Sequence, residues 1–98
     1  MIRHSFMTAM KPETTDRQID EIIKALRNLD GKIAGMSGFF VGKNLGWYDK
    51  KMQLVLFADF LSKEDWEDYI HNSEHLKIGE KYMHLFDERS MVISQIEI

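Results

Sequence analysis

The residues best able to move protons in this chain are four imidazoles, His4, His71, His75 and His84. Histidine is the side chain whose unperturbed charge changes near neutral pH. There is no Cys, which removes disulfides, thiolate metal sites and cysteine nucleophiles. His4 stands in the run Ile2-Arg3-His4-Ser5-Phe6 and shares alternate positions with Ile2, Phe6, Thr8 and Met10, so whatever buries Phe6 should bury or half-bury His4. Two roles stay open for it: a core histidine satisfied by a polar partner from elsewhere in the fold, or a proton-transfer group. His75 follows the turn-forming pair Asn72-Ser73, in Tyr69-Ile70-His71-Asn72-Ser73-Glu74-His75. It is placed to look into a cavity between helices and sheet, although capping a helix end or lying at the surface would fit the same spacing. His71 and His75 are four apart and would suit a two-histidine metal site on an unbroken helix, but the break between them argues against a metal. His84 reads as a surface residue, Trp66 as core packing, and Trp47 with Tyr48 as a lid or a dimer contact. No Gly-rich phosphate loop, Gly-x-Ser-x-Gly elbow or dinucleotide fingerprint occurs.

Elements of regular structure must hold these groups. Residues 2–10 alternate as a strand with two usable faces. Pro12 ends it, and Thr15 followed three residues later by Gln18 is the arrangement of a capping box. Ile19, Ile22, Ile23, Leu26 and Leu29 then recur at helical spacing, with Asp20, Glu21, Lys24 and Arg27 between them, and Gly31 is the expected stop. Residues 36–41 read as a second strand among three glycines, residues 44–51 as a polar connection, and residues 52–60 as a third strand. Ser62 and Asp65 mark the start of a short helix bearing Trp66, Tyr69 and Ile70. Leu76, Ile78, Tyr82, Met83 and Phe86 suggest a further helical segment, and residues 90–98 a closing strand. The order β-α-β-β-α-β predicts an α+β, ferredoxin-like domain spanning residues 1–98, an antiparallel four-stranded sheet with its helices on one face.

Composition narrows the class of function. Thirteen basic residues against sixteen acidic ones give a net charge of −3 with no basic block, so nucleic acid is not an expected partner. The longest apolar stretches, such as Leu54-Val55-Leu56-Phe57-Ala58, fall far short of the roughly 20 residues needed to span a bilayer. The opening residues lack the apolar core of a signal peptide, and a cytoplasmic location with no membrane partner is expected.

The strands carry apolar residues on both faces, whereas a sheet covered on one side should alternate with polar residues. Phe39, Val41, Val55, Phe57, Met91 and Ile93 are the residues expected on the open face, where they would form a patch larger than soluble monomers tolerate. A second copy related by a two-fold axis is the economical cover, and a homodimer is expected.

Three segments resemble the stress-responsive α/β-barrel (Dabb) domain family: Ile2-Arg3-His4, the run from Phe57 through Ser62-Lys63-Glu64 to Tyr69 and His75, and the closing residues 91–98. Ser73 stands where the family commonly has proline. The resemblance implies a dimeric α+β barrel, and, through cofactor-free plant polyketide cyclases in the family, a pocket flanked by His4 and His75 with Tyr69 beside the latter. The cyclases' other pocket tyrosine falls on Leu26 here. The expected pocket wall is Phe6, Ile23, Leu26, Leu76, Ile78 and Phe86, suited to a small apolar, aromatic or polyketide-like ligand. With no cofactor, His75 would take an acidic proton ahead of ring closure or isomerisation. Two other readings share the fold: a non-catalytic, stress-associated ligand-binding module, and a haem or antibiotic-biosynthesis type monooxygenase using Trp66 and His75.

Overall fold

A computed structural model describes all 98 residues. Its elements run β1 (Ile2–Met10), α1 (Asp16–Arg27), β2 (Met36–Lys43), β3 (Leu54–Phe60), α2 (Lys63–His71), α3 (Ser73–Tyr82), a 3-10 turn (Met83–Leu85) and β4 (Phe86–Glu97). The strands form one antiparallel sheet in the order β2-β3-β1-β4. This is the ferredoxin-like α+β arrangement, with the second helical connection split in two.

The capping box forms as the sequence predicts: the Gln18 amide N–H donates to the Thr15 hydroxyl, and the Gln18 side chain accepts from the Thr15 backbone. Ile19, Ile22, Ile23, Leu26 and Leu29 are all buried. The helix itself ends at Arg27, whose guanidinium donates twice to the Val41 carbonyl and ties the end of α1 to β2. Gly35 has φ +79° and lies so close to the Asp65 carboxyl that a Cβ there would collide with it, so this turn requires glycine. α2 stops where Asn72 adopts extended backbone angles, and the Asn72 side chain then caps α3 by accepting from the backbone of Glu74 and His75.

Cross-strand pairing sorts the sheet into two faces. Facing the helices are the rows Gln95-His4-Ala58-Phe39 and Ile93-Phe6-Leu56-Val41. On the open side lie Ile96-Arg3-Asp59-Gly38, Ser94-Ser5-Phe57-Phe40 and Val92-Met7-Val55-Gly42. Phe39, Val41, Met91 and Ile93 therefore do not belong to the open face as the sequence suggested. Phe39 and Val41 are buried against the helices, and Met91 and Ile93 border the helix-side cavity. In runs such as Phe39-Phe40-Val41 both parities are apolar, so composition is silent about which set faces in, and a one-residue shift reverses every assignment. The open face still presents Met7, Phe40, Val55, Phe57, Val92 and Ile96, with Phe40 61% exposed. Within it, Arg3 makes a two-pronged ion pair with Asp59 at 2.8 and 2.9 Å.

β4 begins at Phe86, earlier than the apolar spacing of residues 76–86 implied. Leu85 and Phe86 are core residues reached through the 3-10 turn rather than along a continuing helix.

Candidate functional site

The helix-side face encloses a cavity of about 160 Å³. β1 contributes His4 and Phe6, α1 Leu26, β3 Leu56, α2 Tyr69 and Ile70, and α3 His75, Ile78 and Gly79. Met83, Phe86, Met91 and Ile93 close the end toward β4. Thus His4, Tyr69 and His75, remote in sequence, meet at one space because α2 crosses the His4 row and the Asn72 break turns α3 back over it. Ala58 is the β3 neighbour of His4, fully buried and too small to obstruct the Tyr69 ring.

Tyr69 is the hinge of the group. Its ring centre lies 5.9 Å from that of His4, edge-on, and 4.4 Å from that of His75. Burial raises the phenol pKa well above its ordinary value, so the hydroxyl stays protonated and can donate. His4 is held by two side chains: the Trp66 indole N–H donates to His4 Nδ1 at 3.1 Å, and the Gln95 amide nitrogen stands 3.0 Å from the same atom. Burial, with a smaller contribution from the charge of His75, lowers the His4 pKa to about 4. His75 is also lowered by burial, partly opposed by a backbone hydrogen bond to Ile70. Both imidazoles are therefore neutral at pH 7. His75 Nδ1 is a buried side-chain polar atom left without a partner of good geometry. Such an atom costs stability, and a functional role is one reason for a fold to keep it.

Of the expected wall residues, Phe6, Leu26, Ile78 and Phe86 do border the cavity. Ile23 does not: it is buried in the core one turn before Leu26. Leu76 does not either. It is 48% exposed, because its position next to His75 rotates it about 100° around α3, away from the sheet. Trp66 is more than packing, and Gln95 was not foreseen. Trp66 precedes Tyr69 by three residues and so shares its helix face, and Gln95 lies two residues beyond Ile93 on the same strand face. Those spacings were the available signals. His71 is exposed and its Nδ1 donates to the Glu67 carbonyl, His84 is exposed, and Trp47 and Tyr48 stand 90% and 99% exposed.

The family model for the stress responsive A/B barrel domain matches residues 2–94. The chain belongs to that family. Its fold is shared with a dimeric ferredoxin-like protein of unknown function from Thermobifida fusca, at TM-score 0.89 and 20% identity over 99% of this chain and 90% of that one. A second dimeric ferredoxin-like protein of unknown function, from Bacteroides fragilis, gives 0.85 and 17% over 99% and 95%. The hydroxynitrile lyase of Passiflora edulis gives 0.83 and 21% over 99% and 87%. No curated protein matches this Dabb chain by sequence. No helix of it is long and apolar enough to cross a membrane.

Proposed function

We propose that this Dabb chain is a homodimeric, cofactor-free acid–base enzyme that takes a proton from a small apolar or single-ring aromatic carbonyl compound, with His75 as the base. The observation that carries the reading is a neutral His75, its buried Nδ1 without a partner of good geometry, in a largely apolar cavity that also holds the Tyr69 and His4 rings. In the proposed step a neutral His75 nitrogen takes the proton next to the carbonyl, the C–H electron pair becomes a C=C bond, and the carbonyl oxygen becomes an enolate. Hydrogen bonds from Tyr69 and His4 support that oxygen. Returning the proton to another carbon is an isomerisation, and attack of the enolate on a second carbonyl is a cyclisation. Loss of a leaving group would be a lyase reaction, the class to which the Passiflora edulis neighbour belongs by name.

The cavity volume bears on substrate size. An apolar cavity of about 150 Å³ takes one benzene ring, and the space here is similar, about 160 Å³. That favours a single ring over an extended polyketide or a porphyrin. Leu26, which offers no hydrogen bond, adds to the apolar character. For the dimer, support comes from the open sheet face, since Phe40, Val55, Phe57 and Val92 form a patch of the kind a second copy would bury.

Phenylacetone in D2O, followed by proton NMR, tests the chemistry. We expect deuterium to enter its benzylic methylene faster with the protein than with buffer, and the His75→Ala variant to lose about 100-fold or more of that rate. Binding without exchange would make the protein a ligand-binding module instead. Equal exchange by His75→Ala would remove His75 as the base.

A further inference from the structure

The two hydrogen bonds on His4 determine what that residue can offer the cavity. An indole N–H is a donor with no lone pair, so the ring nitrogen it faces, Nδ1 at 3.1 Å, must be unprotonated. The Gln95 amide can rotate to suit either state, and against an unprotonated Nδ1 it presents its NH2 end at 3.0 Å. In a neutral imidazole the proton is then on Nε2. No other side chain or backbone group holds Nε2. It is not among the wholly buried polar atoms lacking a partner, a condition met only by His75 Nδ1, so Nε2 keeps accessible surface on a ring that borders the cavity.

We propose that Trp66 and Gln95 are positioning residues that lock His4 in its Nε2–H tautomer, so that the cavity meets His4 as a hydrogen-bond donor to a carbonyl or oxyanion rather than as a base. His75 is then the one imidazole free to accept a proton, and the two histidines have opposite roles by construction. Protonating His4 would set an Nδ1–H against the Trp66 N–H, a repulsion the ring can relieve only by breaking that bond. The titratable neighbours of the ring in the cavity are Tyr69 from α2 and His75 from α3, and the charge acting on it is that of His75. The ligand preference that follows is for an oxygen acceptor facing His4. The part of this inference that concerns catalysis rests on the proton-transfer reading above, whereas the tautomer does not.

Long-range 1H–15N spectra of the 15N-labelled protein read the tautomer directly. We expect an unprotonated Nδ1 and a protonated Nε2 on His4 from pH 8 to pH 5.5, across a range where a free histidine gains its charge. A proton on Nδ1, or an imidazolium at pH 5.5, would overturn the proposal with no variant required. The double substitution Trp66→Phe with Gln95→Glu removes the indole donor and supplies a carboxylate that accepts from Nδ1–H. The proton should move to Nδ1 or the ring should become charged, and restoring Trp66 should return it to Nε2. Wild type should bind phenylacetone about fivefold more tightly than the alkene in which C=CH2 replaces C=O, as one hydrogen bond warrants. That preference should fall when the tautomer changes, and an unchanged preference in a folded double variant with a neutral, Nδ1-protonated His4 would refute the donor role. The expected tautomer without deuterium exchange would remove the enzyme reading and leave the positioning, and exchange with the opposite tautomer would do the reverse.

Discussion

The two faces of the sheet carry apolar side chains in different settings, buried under the helices on one and exposed on the other. On the helix side, the row Gln95-His4-Ala58-Phe39 places a histidine among apolar neighbours, satisfied at one nitrogen by Trp66 and Gln95. On the open side, the neighbouring row Ile96-Arg3-Asp59-Gly38 places charges among apolar neighbours, satisfied by each other. The helix-side imidazoles are neutral and border a cavity, whereas the open-side pair is ionised and bridges neighbouring strands on the open face. A neutral buried group keeps hydrogen-bonding capacity for a ligand. The Arg3–Asp59 pair spends two guanidinium N–H donors on the carboxylate and keeps others toward the open side, where they can fix the register of a surface that meets another copy. The proposed chemistry and the proposed assembly thus fall on opposite faces.

That division can be broken at either face. The largest effect should come from Phe57→Asp, which puts an unpaired charge in the middle of the open face. We expect the proposed dimer to dissociate at micromolar concentration, seen as a halved mass by light scattering. The helix-side cavity should survive in the monomer. Next, Leu56→Ala, one residue away and facing the helices, should leave the mass unchanged but cost about 2–5 kcal/mol in denaturant unfolding, because Leu56 is 2% exposed.

Acid should separate the faces more finely. The folded pKa of His4 is lowered to about 4 and that of His75 is lowered as well, whereas both take up protons near 6.5 when unfolded. Their contribution to stability is thus complete above pH 6.5 and is lost as pH falls below it, for His4 down to about 4. A loss on the order of 2 kcal/mol over that window is expected for His4 once solvent access at the cavity mouth is allowed for. Arg3 holds the Asp59 carboxyl below its ordinary range, so the open-face ion pair contributes above pH 4 and fails only below it. Urea unfolding at a series of pH values should show the histidine loss first, and His4→Gln should abolish much of it. The smallest effect is expected from Phe40→Ser on the exposed β2 edge, within about 0.5 kcal/mol for the isolated subunit.

Much of the fold was legible because period and caps agree: the α1 stripe from Ile19 to Leu26, the Thr15–Gln18 box and the Asn72 break each appear where their chemistry requires. Sheet parity was not legible in Phe39-Phe40-Val41, where every residue is apolar, and β4 hid its first residues because Leu85 and Phe86 prolong an apolar spacing that also suits a helix. Within the cavity, His4, Tyr69 and His75 stand out in the sequence through residue type and family likeness. The bond from Trp66 to His4 spans 62 positions and leaves no local pattern. Leu76 and Ile23 miss the cavity for simpler reasons: one residue beyond His75 rotates Leu76 off the wall, and one turn before Leu26 leaves Ile23 short of it.

The central claim is that the helix-side cavity, and not the open face, receives the ligand. Titrating the 15N,13C-labelled protein with phenylacetone tests it most directly. The account predicts shifts and intermolecular NOEs at His4, Tyr69, His75 and Ile93, with Phe40, Val55 and Val92 unmoved. NOEs to Phe40, Val55 or Val92 with a silent cavity would contradict it.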